Sequence, residues 1–273
     1  MANTELANFL LSKVDQLPAV ASLASLWAED GRLAPDAMDK VSAALADDPE
    51  LAGQVTAMGG GASLQGAVMA LGLKTVESLM VSKAAEDTAS SINPETLELM
   101  QGNLWRHSKI VGYCCQLLAK EVGYQNTNDA FVAGLFHDIG KAVLNRYAFE
   151  EINAVLRVTS AKAKALFTAE DEAFGFNHSY IGAKIVGRWG LPDQIREAVE
   201  FHHTPEKATN DVQLTEIVHL GNVLVNWIQM KLGLKSNFYP LRPYILDKFN
   251  IPTERLRQIA EEANEIVQST AAT

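Results

Sequence analysis

Three observations predict an all-α fold, a bundle of many helices. Ala, Leu, Glu, Lys and Gln dominate the 273 residues. Through long stretches, apolar residues recur about every 3.6 positions, the repeat of one helix face. No Asn-Gly or Asp-Gly turn joins two alternating segments, so hairpins are not signalled.

The elements follow in order. Residues 4–28 predict one or two short helices, interrupted at Leu17-Pro18, because the residue before a proline avoids the helical region. A helix over 36–47 comes next. Asp48-Pro49-Glu50 is a helix start, with Asp as N-cap, Pro in the first turn and an acid at the positive end of the dipole. That helix runs to Met58 and stops at Gly59-Gly60-Gly61. Ser63 caps a short helix over Leu64–Leu71, Gly72 ends it, and 74–85 forms another. The polar run Ser90-Ser91-Ile92-Asn93-Pro94 marks a boundary. A long helix covers 95–122, and Asn126-Thr127-Asn128-Asp129 opens the helix that carries residues 131–141. Two more cover 148–158 and 161–173. Asn177 or Ser179 starts a helix through Trp189, and Leu191-Pro192-Asp193 opens one that ends at His202-His203-Thr204-Pro205. A long apolar helix over 214–232 and shorter ones near 240–249 and 252–269 complete the chain. The organisation is an N-terminal helical subdomain (1–92), a helical core (93–235) and a C-terminal helical appendage (236–273).

Composition narrows the function classes. Apolar residues make up 48% and charged residues 21%, the balance of a globular chain. A net charge of −10 argues against non-specific nucleic-acid binding, which needs a basic face, and against docking on anionic membranes. The two cysteines, Cys114 and Cys115, are neighbours; on a helix they point about 100° apart, which suits buried thiols and not a bridge. The opening MANTELANFLLSK has no basic leader region, and no run approaches the roughly 20 apolar residues of a membrane span. The expectation is a cytoplasmic protein with no nucleic-acid and no membrane partner.

The chemistry centres on FVAGLFHDIGK, residues 131–141. It reads as one helix that Gly140 could break, with His137 and Asp138 side by side in an oily segment. Neither side chain is cheap to bury without a partner, and both are metal ligands. The other histidines are His107, His178, His202, His203 and His219, and the nearest acids are Asp138, Asp171 and Glu172. All but His219 suit ligands projected into a bundle interior from different helices. His219 reads as an ordinary helix residue. Imidazole with carboxylate suits iron, zinc, manganese or nickel more than calcium.

FVAGLFHDIGK resembles the HD-domain signature of metal-dependent phosphohydrolases. The surrounding layout resembles the HDOD branch, the HD-related output domain of bacterial signalling. Leu17-Pro18-Ala19-Val20, Asp48-Pro49-Glu50-Leu51, Gly66-Ala67-Val68 and Leu71-Gly72 carry the N-terminal part. Trp105 with His107, the HD segment, Trp189-Gly190-Leu191-Pro192 and His202-His203 continue it over about residues 12–230. The resemblance implies an HD-type helical bundle with the metal site at its centre, holding one or two ions. It implies His107, His137, Asp138, His178, His202 and His203 as ligands, with Asp138 bridging. Lys141 lies one turn from His137; the resemblance implies a phosphate contact there, and a solvated helix-end lysine is the other reading. Three departures stand out. Met58-Gly59-Gly60-Gly61-Ala62-Ser63 replaces the polar Asn-Ser usual in the branch. Asn222 takes the place where the HD pattern has a closing aspartate, and TPEKATND follows His202-His203 where cyclic-di-GMP phosphodiesterases carry Gly-Tyr-Pro.

Two functions follow from the resemblance. One is a signalling or regulatory module that keeps its metal and meets a signalling protein partner. The other is a metal-dependent phosphohydrolase acting on a phosphate-containing small ligand, with Asp138 and Lys141 as catalytic residues. The oligomeric state is not signalled.

Overall fold

In a computed structural model of the chain, every regular element among the described residues is helical. The structure describes residues 4–14, 36–59, 63–71, 94–162, 164–231 and 240–270, with Val76, Met80 and Lys83. The Leu17-Pro18 break, the glycines at 60 and 61 and the polar run at 90–93 lie outside them. Of the helix expected over 74–85, Val76, Met80 and Lys83 are helical, and Val76 and Met80 are buried.

The helices are α1 Thr4–Val14, α2 Ala37–Ala46, α3 Pro49–Met58, α4 Leu64–Leu71, α5 Pro94–Glu121, α6 Thr127–Phe136 and α7 Gly140–Tyr147. Then come α8 Phe149–Lys162, α9 Leu166–Phe174, α10 His178–Arg188, α11 Asp193–Phe201, α12 Val212–Lys231, α13 Pro243–Phe249 and α14 Thr253–Thr270. Local chemistry sets many of their ends. The Asp48 carboxylate accepts from Leu51 N–H at 3.0 Å, and Ser63 Oγ from Gly66 N–H at 3.0 Å. Asn177 accepts from Ser179 N–H and Tyr180 N–H, so it is Asn177 that caps α10. Gly175, at φ 82°, ends α9 in the left-handed conformation a glycine adopts freely.

One expected helix is two. Residues 131–141 do not form a single rod: α6 stops at Phe136, a tight turn holds 137–139, and Gly140 starts α7. The cause is local. His137 Nδ1–H donates to Gly134 O at 2.7 Å, the carbonyl an uninterrupted helix would offer to Asp138 N–H. The chain then tightens to i−3 bonds, Ile139 N–H to Phe136 O and Lys141 N–H to Asp138 O. Gly140 is a contact residue and not a breaker. A Cβ there would lie 2.0 Å from His178 O and 2.7 Å from Gly182 N, so α7 meets α10 backbone to backbone.

The core sits among α5, α6, α10, α11 and α12. The long α5 packs along α6 and α12, and α10 lies against α7 and α11. Cys114 and Cys115 are buried, unbridged thiols at the α5–α6–α12 crossing. Trp189, 1% exposed, meets Phe136 edge-on at 5.3 Å and holds the end of α10 to α6. Contacts cross residues 92 and 235: α1 packs on α7 and α10, and α14 lies along α5.

The backbone contact at Gly140 yields a test. Gly140→Ala is expected to destabilise the fold by about 1–3 kcal/mol, the usual cost of overpacking. A denaturant midpoint equal to the wild type would contradict that placement.

Candidate metal centre

Four separate pieces of chain bring the histidines to Asp138. His107 stands on α5, His137 and Asp138 in the turn between α6 and α7, His178 at the first position of α10, and His202 and His203 just after α11. His137, His178 and His202 are 0% exposed, Asp138 1%, His203 4% and His107 8%. Their ligand atoms form two groups that share Asp138. One is Asp138, His178, His202 and His203; the other is His107, His137 and Asp138; within each the atoms lie within 4.8 Å of one another.

The two oxygens of Asp138 divide between the groups. His178 Nε2 lies 3.2 Å and His202 Nε2 3.8 Å from Oδ1. His137 Nε2 lies 3.2 Å, His107 Nε2 3.8 Å and Lys141 Nζ 2.6 Å from Oδ2. The ammonium of Lys141 therefore donates to the carboxylate from the adjoining helix.

Backbone and neighbouring side chains aim the imidazoles. His137 and His202 share one device: each is the C-cap of its helix, and each Nδ1–H donates to the carbonyl three residues back, Gly134 O at 2.7 Å and Val199 O at 2.8 Å. That bond orients each ring and turns its Nε2 inward. His178 Nδ1–H donates to Glu170 Oε2 at 2.5 Å, which also accepts from His178 N–H at 3.0 Å. His107 Nδ1–H donates to Gln229 Oε1 at 3.3 Å. The His203 ring stacks on Phe167 with centroids 4.5 Å apart.

Glu170 is a residue that sequence reasoning missed. The acids singled out beside His178 were Asp171 and Glu172, and the structure turns both away: Asp171 accepts from Asn177 Nδ2, and Glu172 pairs with Lys164. Glu170 is the fully buried one and the one that holds His178. The legible signal was its place on the apolar face of α9, next to the buried Ala169. His219 lies outside both groups, with Nδ1–H on His202 O at 2.8 Å and Nε2 accepting from Arg242 N–H at 3.2 Å. Asn222 is buried, and its Oδ1 accepts from Asn226 Nδ2 at 2.6 Å.

Burial decides the protonation pattern. It pushes His107 down to about 3, with His137 adding to the effect. Burial and then the neighbouring imidazoles hold His202 and His203 well below the ordinary histidine value. His178 goes the other way: burial alone would lower it, but Glu170 raises it above the usual value. Burial would raise Asp138, yet His137 and Lys141 hold it well below the carboxylate range. Asp138 is thus a buried carboxylate with the ammonium of Lys141 beside it.

The donor set fits a divalent transition ion. The buried His137 Nε2, His202 Nε2 and Asp138 Oδ1 have no hydrogen-bond partner, a costly arrangement unless a cation collects them. His178 Nε2 and His203 Nε2 face each other at 3.0 Å. Two nitrogens bound about 2.1 Å from one ion at right angles stand about 3.0 Å apart.

A helical bundle that gathers imidazoles around one buried aspartate could hold a metal ion there. Residues 36–205 match the HDOD domain, and the chain belongs to that family. Solved structures share the fold. A protein from Marinobacter aquaeolei, provisionally described as a signal transduction protein, matches with TM-score 0.75 at 16% identity, over 99% of this chain and 65% of that one. One from Shewanella amazonensis, provisionally described as a phosphohydrolase, matches with TM-score 0.63 at 21% identity, over 93% of this chain and 97% of that one. Ribonuclease Y from Geobacter metallireducens is 29% identical over 42% of this chain and 19% of its own length. The chain spans less than a third of the curated relatives it matches.

The Glu170 contact makes a prediction. Glu170→Gln is expected to weaken binding of a divalent ion about 10–100-fold, as loss of a carboxylate behind a ligating imidazole does. Competition titration against a chelator reads it, and an unchanged affinity would count against the role given to Glu170.

Proposed function

We propose that this chain is a signalling or regulatory module whose HD-type site holds a divalent transition metal. Asp138 with His178, His202 and His203 forms one candidate ligand group and Asp138 with His107 and His137 a second, and iron, manganese, zinc and nickel all suit the donors. The single observation that carries the reading is the convergence of buried, unpartnered lone pairs around Asp138. Bound there, a cation would supply charge to the carboxylates and Lewis acidity to any oxygen ligand that reached it.

Burial favours regulation over hydrolysis. A phosphohydrolase must bring a phosphate, a nucleophilic water and a leaving group to the ion, and none of the six residues is more than 8% exposed. In this reading the site works as a brace: the ligands come from α5, the α6–α7 turn, α10 and the end of α11, so metal content controls how firmly those pieces are joined. The name of the Marinobacter aquaeolei relative agrees with a signalling role. The acidic charge supports a partner other than nucleic acid, with a signalling protein the expected one. No helix among the described residues is long and apolar enough to cross a membrane.

Two measurements test the proposal. Protein purified without added metal and then offered Mn²⁺ or Fe²⁺ should retain it through gel filtration. Stripping with a chelator should lower the melting temperature by roughly 5–15 °C, the effect of losing a ligand present far above its dissociation constant. The loaded protein should leave phosphodiesters, nucleotides and RNA intact. Metal-dependent turnover that His137→Ala abolishes would decide instead for the phosphohydrolase.

A further inference from the structure

The two candidate groups around Asp138 are not equivalent. In the group of His178, His202 and His203, His178 and His202 meet the carboxylate through Oδ1, which has no hydrogen-bond partner. The group of His107 and His137 meets it through Oδ2, which already accepts from Lys141 Nζ at 2.6 Å. The Lys141 side chain is 15% exposed, so its charge is held near the carboxylate with little water to screen it.

Charge and donor count run the same way. Asp138 is the one carboxylate in either group among the described residues. A first divalent ion would meet the one carboxylate that the two groups share. A second would bring two more positive charges and no further carboxylate. Bonded to Oδ2, it would lie within about 5 Å of the ammonium, a like-charge contact in a dry site. Asn222 adds no charge, and its carbonyl oxygen is engaged with Asn226.

We infer that the centre takes one ion, on Asp138 Oδ1 with His178, His202 and His203, and that Lys141 is a built-in countercation that holds Asp138 Oδ2 and bars a second ion from His107 and His137. This rests on the metal-site reading above and deepens it. Lys141 is then neither a solvated lysine nor a phosphate contact. Its ammonium occupies one side of a dinuclear-shaped cluster and keeps the site mononuclear. His107 and His137 line that side, with His137 Nε2 3.2 Å from Asp138 Oδ2.

The test is a count. Metal-free full-length protein is dialysed against excess Mn²⁺, freed of loose metal, and assayed by atomic emission and electron paramagnetic resonance. Wild type should hold one Mn²⁺ per chain, with the spectrum of an isolated ion. Lys141→Met should hold two, a doubling, with the exchange-coupled spectrum of a close pair. Adding His107→Ala to that variant should return it to one. Should Lys141→Met fail to give the circular dichroism of wild type, Lys141→Gln makes the same comparison. Two ions in wild type, or one in a folded Lys141 variant, overturn the role of Lys141 and leave the metal centre standing. No Mn²⁺ in wild type or variant overturns the metal centre itself, and this inference with it.

Discussion

A carboxylate shut away from water governs this structure. Asp138 is 1% exposed, and a buried charge of that kind survives only with positive or strongly donating partners around it. The fold supplies Lys141 from the next helix and imidazoles from four pieces of chain. The break between α6 and α7 belongs to the same requirement. A continuous helix would send Asp138 N–H to Gly134 O; the turn gives that carbonyl to His137 instead and so orients its ring. Gly140 then lets α7 close on α10, which brings His178 to the carboxylate.

The supporting contacts reach beyond residue 205, where the family match ends. Gln229 on α12 holds His107, and His219 on α12 holds the His202 carbonyl. Arg242, just before α13, donates its backbone N–H to His219 and its guanidinium to His203 O and Glu206. Burial pushes His219 down to about 4, so it stays neutral and can donate on one side while accepting on the other. The C-terminal helices are thereby wired to the backbone of the His202-His203 turn.

Much of this was legible in the sequence where the signal is local. Caps at Asp48, Ser63 and Asn177 depend on side chains within a few residues, so helix order and most boundaries follow from residue types. The family resemblance pointed to the six side chains that the fold draws together. What escaped were features set by contacts across the fold. The 137–139 turn looks helical by periodicity, because its cause is a side chain competing for a backbone carbonyl. Glu170 looked like one acid in a run of three, and only the meeting of α9 with the start of α10 singles it out. Lys141 was open between two readings until its ammonium was seen on Asp138.

The central claim is that these imidazoles share a metal ion with Asp138. X-ray absorption on Mn²⁺- or Fe²⁺-loaded protein tests it most directly, because the spectrum reports the atoms bonded to the ion. The account predicts a shell of nitrogen and oxygen at about 2.0–2.2 Å, with the outer-shell scattering of coordinated imidazole. An oxygen-only shell with no imidazole signature would contradict it.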